Sequence, residues 1–282
     1  MNTKLLMLEQ HIHGAFGVDF NKCSVEDLLK VSEMLYKRGI VAFFPTLVTD
    51  SIANINRQIA IIKEAAKYSH RIIGIHVEGI FINPEKKGIH NPEHFLPLTV
   101  DNYKLIEDDF IKIVTLAPEL DEGLIEYLHS KGVKVQAGHC IGWGNVNGVT
   151  HTLNAMEGVS HRKNSTSLSA LINDDVYAEI IADGVHVSDD ALKLFFKAKP
   201  EDKVILVSDA LPITHSDIKE VVFANSKIYY DGVRAISKDG TIAGSTMLLD
   251  EVVTRLKSIG LFNPKYIENA WNYHNINPVD FV

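Results

Sequence analysis

"KVILVSDA", residues 203–210, is a short run of branched apolar residues that ends in a serine and an acid. Side chains along a β-strand alternate between faces, so Ile205, Val207 and Asp209 share one side. Apolar residues on both sides mark a strand buried on both faces, as in a parallel sheet covered by helices. The polar group stands at the carboxyl end of the run. "VKVQAGH", residues 133–139, repeats the arrangement, with Val135, Ala137 and His139 on one face.

Six further runs have the same character: "LLMLEQHIH" (5–13), "IVAFFPTLV" (40–48), "RIIGIHVEG" (71–79), "FIKIVTLAPE" (110–119), "GVTHTLNAM" (148–156) and "AEIIADGVHV" (178–187). Most gaps between them hold amphipathic helix patterns. "SVEDLLKVSEMLYKRG" (24–39) opens on a serine cap and closes on Gly39; "SIANINRQIAIIKEAAKYS" (51–69) and "DEGLIEYLHSKG" (121–132) behave alike. Eight strand–helix units predict a closed (β/α)8 TIM-like barrel, α/β in class, forming a single domain over residues 1–282. "KEVVFANSKIYYDGVRAISKDGTIAG" (219–244) breaks the pattern and reads as a small β-hairpin inserted after the eighth strand, with Asp-Gly turns.

The bulk numbers agree with an ordinary globular enzyme: 282 residues, 46% hydrophobic and 23% charged. A net charge of −8 argues against a nucleic-acid partner, which wants a basic footprint. Two cysteines, Cys23 and Cys140, make no disulfide framework and fit a reducing cytoplasm. The first residues are too polar for a signal peptide, and no apolar run is long enough to span a membrane.

A barrel carries its chemistry at the carboxyl ends of its strands. His11 and His13 close the first run, Glu78 the third, His139 the fifth and Asp209 the eighth, while His151 lies on the sixth. Four histidines and two acids at the ends of one repeating architecture form a donor set for a divalent ion. An open position on such an ion activates water near neutral pH. Imidazole and carboxylate ligands suit zinc or iron. His76 shares Glu78's face and either orients a ligand or fills space; Cys140, on the opposite face from His139, reads as a buried structural thiol.

In order along the chain, "HIHGAFGVDF", "GIHVEGIFINPEKKGIHNP", "VTLAPE", "AGH", "THTLNAM", "IADGVHV", "LVSDA" and "AGSTM" resemble the N-acetylglucosamine-6-phosphate deacetylases, a branch of the amidohydrolase superfamily. The resemblance implies that Glu78, His139 and His151 are the principal metal ligands, that His11 and His13 help to hold a second ion, and that Asp209 is a ligand and the catalytic acid/base. It further implies that His186, Asn154, Ala155 and His90 line the substrate, and that Arg162 reaches the phosphate from a neighbouring subunit of a homodimer. The implied reaction releases acetate from N-acetylglucosamine 6-phosphate, using one or two divalent ions and no nucleic-acid or membrane partner.

Four departures from the family pattern stand out. The small β-sandwich domain that the family assembles from both chain ends is expected to be absent. Only eleven residues, "CIGWGNVNGVT", separate His139 from His151, so one outer helix is expected to be missing. Ile80 stands where proline is usual, and "HRKNSTS" lacks the usual Pro-Gly after Arg162. These changes leave two alternatives: an amidohydrolase for a different N-acyl substrate, or a catalytically silent relative that binds a sugar phosphate.

Overall fold

Eight parallel strands follow one another in chain order around a barrel. They are β1 Met7–Ile12, β2 Ile40–Val48, β3 Ile75–Glu78, β4 Ile111–Leu116, β5 Lys134–Ala137, β6 Gly148–Val149, β7 Tyr177–Ile181 and β8 Val204–Val207. The computed structural model describes residues 5–281. The seam between β8 and β1 is closed just past the strand ends. There Ile12 bridges Ala210, and the Asp209 N–H donates to the His11 carbonyl at 2.9 Å. Glu9 reinforces the seam by accepting the Ser208 N–H at 3.0 Å.

The outer layer comprises α1 Val25–Lys37, α2 Ile52–Ala66, α3 Val100–Tyr103, α4 Leu124–Ser130, α5 Thr166–Ile172, α6 Asp189–Ala198 and α7 Leu249–Ser258. Ser24 caps α1 in a reciprocal box with Asp27, and Ser51 caps α2, as the sequence predicts. No helix joins β5 to β6. The connecting loop lies flat because its glycines allow it. A Cβ on Gly142 would stand 2.5 Å from Glu119, and one on Gly144 would stand 2.7 Å from Pro118.

A further helix, α8 Lys265–His274, plugs the amino-terminal end of the barrel. Its Trp271 and Tyr273 pack with Leu8, Phe44, Ile113 and Ile205, and the Trp271 indole donates to the Leu6 carbonyl at 2.8 Å. The segment read as a hairpin is larger than expected. It is a four-stranded antiparallel meander, β9 Glu220–Phe223, β10 Ser226–Tyr230, β11 Ala235–Ser237 and β12 Ile242–Gly244. It seats Phe223 and Ile228 against Val48, Ile89, Leu211 and Ile213. Among the described residues no helix is long and apolar enough to cross a membrane.

Candidate active site

Glu78 ends β3 and stands at the centre of the barrel mouth, buried. Its two oxygens face two histidine pairs. Oε1 lies 2.8 Å from His151 Nε2 and 3.2 Å from His139 Nε2. Oε2 lies 2.9 Å from His13 Nε2 and 3.4 Å from His11 Nε2. Asp209 Oδ1 approaches the second pair at 3.4 Å from His11 and 3.3 Å from His13. All six sequence-predicted ligands therefore meet in one place. His139, His151 and Asp209 lie just beyond their strands, in turns with positive φ.

Hydrogen bonds behind the rings set the direction of their lone pairs. His13 Nδ1 faces the Thr46 carbonyl at 3.3 Å, and His139 Nδ1 faces the Lys86 carbonyl at 2.8 Å. A carbonyl only accepts, so each Nδ1 carries a proton and each Nε2 is turned to the centre. Yet His139 and His151 Nε2 are 3.2 Å apart, and His11 and His13 Nε2 are 3.3 Å apart. Ring nitrogens packed this closely around two carboxylates call for positive charge shared between them, as a proton or a metal ion.

Glu78 and Asp209 pair with no lysine or arginine among the described residues. The demand for positive charge shows in His13: burial opposes its protonation, but Asp209 and Glu78 outweigh burial and raise its pKa to about 9. Two buried donor sets that share Glu78, His11–His13–Glu78 and Glu78–His90–His139, have ligand atoms close enough to hold a divalent ion.

A cleft of about 320 Å³ opens over these groups. His90, His186, Asn154 and Ala155 line it. His186 Nδ1 is 2.8 Å from Asp183 Oδ2, while Asp183 Oδ1 accepts the N–H groups of Val185 and His186. Burial favours the neutral acid, but these donors hold Asp183 at about 2. Burial likewise works against a charged His186, yet Asp183 raises it above its usual range. His90 contacts Thr49 Oγ1 at 2.7 Å, and burial together with His139 keeps it neutral.

Arg162 is not brought to the cleft of its own chain; it is exposed and donates to the adjacent His161 at 3.0 Å. Cys140 is a buried free thiol pushed up to about 12 by burial, a structural group. His76 sits below the centre, 2.7 Å from Thr115 Oγ1 and edge-on to His11. Sequence reading missed Phe223 and residues 241–243, which the meander brings to the cleft wall. It missed Glu179 as well, because one acid in "YAEII" has no distinctive spacing.

No family model matches the chain. Over 265 residues it is 32% identical to the N-acetylglucosamine-6-phosphate deacetylase of Bacillus subtilis (strain 168), covering 87% of this chain and 67% of that relative. Over 269 residues it is 27% identical to the N-acetylgalactosamine-6-phosphate deacetylase of Escherichia coli O157:H7, covering 88% and 70%. The N-acetylglucosamine-6-phosphate deacetylase structure from Thermotoga maritima superposes with a TM-score of 0.90 at 26% identity, over 96% of this chain and 78% of that one. With the barrel, the convergent donor set and these relatives in agreement, the chain belongs to the N-acetylglucosamine-6-phosphate deacetylase family, a family of amide hydrolases.

Proposed function

We propose that this chain hydrolyses the acetamide of N-acetylglucosamine 6-phosphate, giving glucosamine 6-phosphate and acetate in the cytoplasm. The observation that carries the reading is the convergence of four imidazole Nε2 atoms on the two oxygens of Glu78, with Asp209 beside them at the floor of the cleft. Glu78, His139 and His151 would hold a divalent ion, zinc or iron, with His11 and His13 for a second, and the ion would supply Lewis acidity toward the amide carbonyl and toward water.

Asp209 is the general base and acid. Burial works against its charge, but His11 and His13 outweigh burial and keep the carboxyl below the usual range. It takes the proton of the attacking water as the carbon–oxygen bond forms. It then passes that proton to the amine nitrogen as the carbon–nitrogen bond breaks. His186, whose hold on its proton Asp183 strengthens, donates to the carbonyl oxygen as negative charge develops there. His90 and Asn154 contact the sugar, the Ala155 backbone meets the phosphate, and Arg162 of a second copy supplies a planar fork for it.

The test is acetate release by the metal-loaded protein from N-acetylglucosamine 6-phosphate, its galacto epimer and the unphosphorylated sugar. Turnover should be highest on the first and fall by about 10²–10⁴ in Asp209→Asn. Preference for the galacto epimer would correct the substrate. No turnover on any of them by folded, metal-loaded protein would overturn the reading in favour of a binding role.

A further inference from the structure

Glu179 lies midway along β7, buried at the barrel interior, and no step above uses it. Its Oε2 is 3.0 Å from His11 Nδ1 and also accepts the His151 N–H at 3.2 Å. Its Oε1 accepts from Gln10 Nε2 at 2.6 Å. Gln10 and His11 are neighbours in β1, so strict alternation would send them to opposite faces. Instead both converge on one carboxylate, because the β1–β2 register shifts between Glu9 and Ile12. Beyond Gln10 the line continues: its Oε1 is 3.1 Å from His274 Nε2 on α8. The amide that donates to Glu179 with its nitrogen must accept from His274 with its oxygen, so every donor in the chain points toward Glu179.

We infer that Glu179 is a positioning residue for the metal centre: its carboxylate holds His11 with the proton on Nδ1 and the Nε2 lone pair toward Glu78 and His13. His13 and His139 have neutral carbonyls behind their rings, whereas His11 has a carboxylate, which raises the donor strength of the ring. Through the His151 N–H the same group ties β6 to β1, so one side chain spaces ligands from both histidine pairs. The inference rests on the metal-dependent reading above.

The test compares wild type, Glu179→Gln and Glu179→Met without substrate. Zinc and cobalt affinity and stoichiometry are read by chelator competition, and the His11 ring by nitrogen NMR of the zinc-loaded protein. Glu179→Gln keeps an acceptor but loses the charge, and should weaken the ion at the His11–His13 end by about tenfold. Glu179→Met should weaken it by about a hundredfold and release the Nδ1 proton of His11 to exchange, while the ion at Glu78, His139 and His151 stays. Wild-type affinity, stoichiometry and ring shifts in both variants would overturn the inference. If Glu179→Met does not melt cooperatively, Glu179→Gln decides alone. Because no substrate is present, silence in the acetate assay leaves this result standing. Acetate release accompanied by unchanged metal binding in the variants would remove Glu179 and leave the deacetylase.

Discussion

Ile80, His139, His151 and Asp209 all have positive φ, at 52°, 49°, 29° and 52°. Such a conformation costs about 1–3 kcal/mol for each ordinary residue and survives only where its surroundings enforce it. The enforcement is visible. Asp209 donates its N–H to the His11 carbonyl and accepts the Ser245 N–H at 2.8 Å, and the His139 carbonyl accepts from Asn83. Ile80 is the instructive case. A proline ring fixes φ near −65° and has no N–H, whereas Ile80 has φ +52° and donates to Thr49 Oγ1 at 2.9 Å. Ile80→Pro should therefore cost more than about 3 kcal/mol and release metal from Glu78, two residues away, as read by calorimetric melting and metal content. The Asp183–His186 pair gives a second prediction. Burial lowers and Asp183 raises the proton affinity of His186, and the carboxylate prevails. Asp183→Asn leaves burial alone, so His186 sheds its proton at lower pH. The alkaline limb of the kcat/KM profile should move down, with kcat falling by about 10²-fold; an unmoved limb would exclude His186 as the donor.

At the scale of elements, the meander has its own small core around Phe223 and Ile228, separate from the barrel core. Ile228→Ala should cost about 2–4 kcal/mol, and the loss should stay local. Hydrogen exchange and proteolysis should rise within residues 219–244 while the barrel keeps its far-UV signal, and KM should increase because residues 241–243 and Phe223 wall the cleft. The barrel strands and the α1 cap were legible because alternation, branched residues and Ser-x-x-Asp are local signals. The meander was read as a hairpin because its first turn, Ala224-Asn225, has positive φ at both residues yet no glycine to announce it. The six residues that meet at the barrel mouth were legible because strand ends are where a barrel places its polar groups. Glu179 was not, since its contacts with Gln10 and His11 depend on a register shift in β1, and a shift is set by pairing across strands rather than by residues along one.

Across the whole molecule, the chain spans about two thirds of the length of its curated relatives, from 66% to 70% in those of Bacillus subtilis, Homo sapiens and Escherichia coli. The phosphate of the proposed substrate is the group for which one copy offers least. Lys86 is the one lysine or arginine among the described cleft residues, and Glu157 already pairs with it at 3.2 Å. Arg162 stands exposed outside the cleft. If a second copy supplies Arg162, Arg162→Ala should raise KM for the phosphorylated sugar by about tenfold or more, and leave the unphosphorylated sugar unaffected. Mixing makes the test sharper. Arg162→Ala chains keep Asp209, and Asp209→Asn chains keep Arg162. In random twofold dimers about a quarter of all sites would then combine both intact groups, so two feeble variants should recover activity on mixing. A monomer in sedimentation, with no recovery on mixing, would remove the dimer from the proposal and leave Lys86 to read the phosphate within one chain.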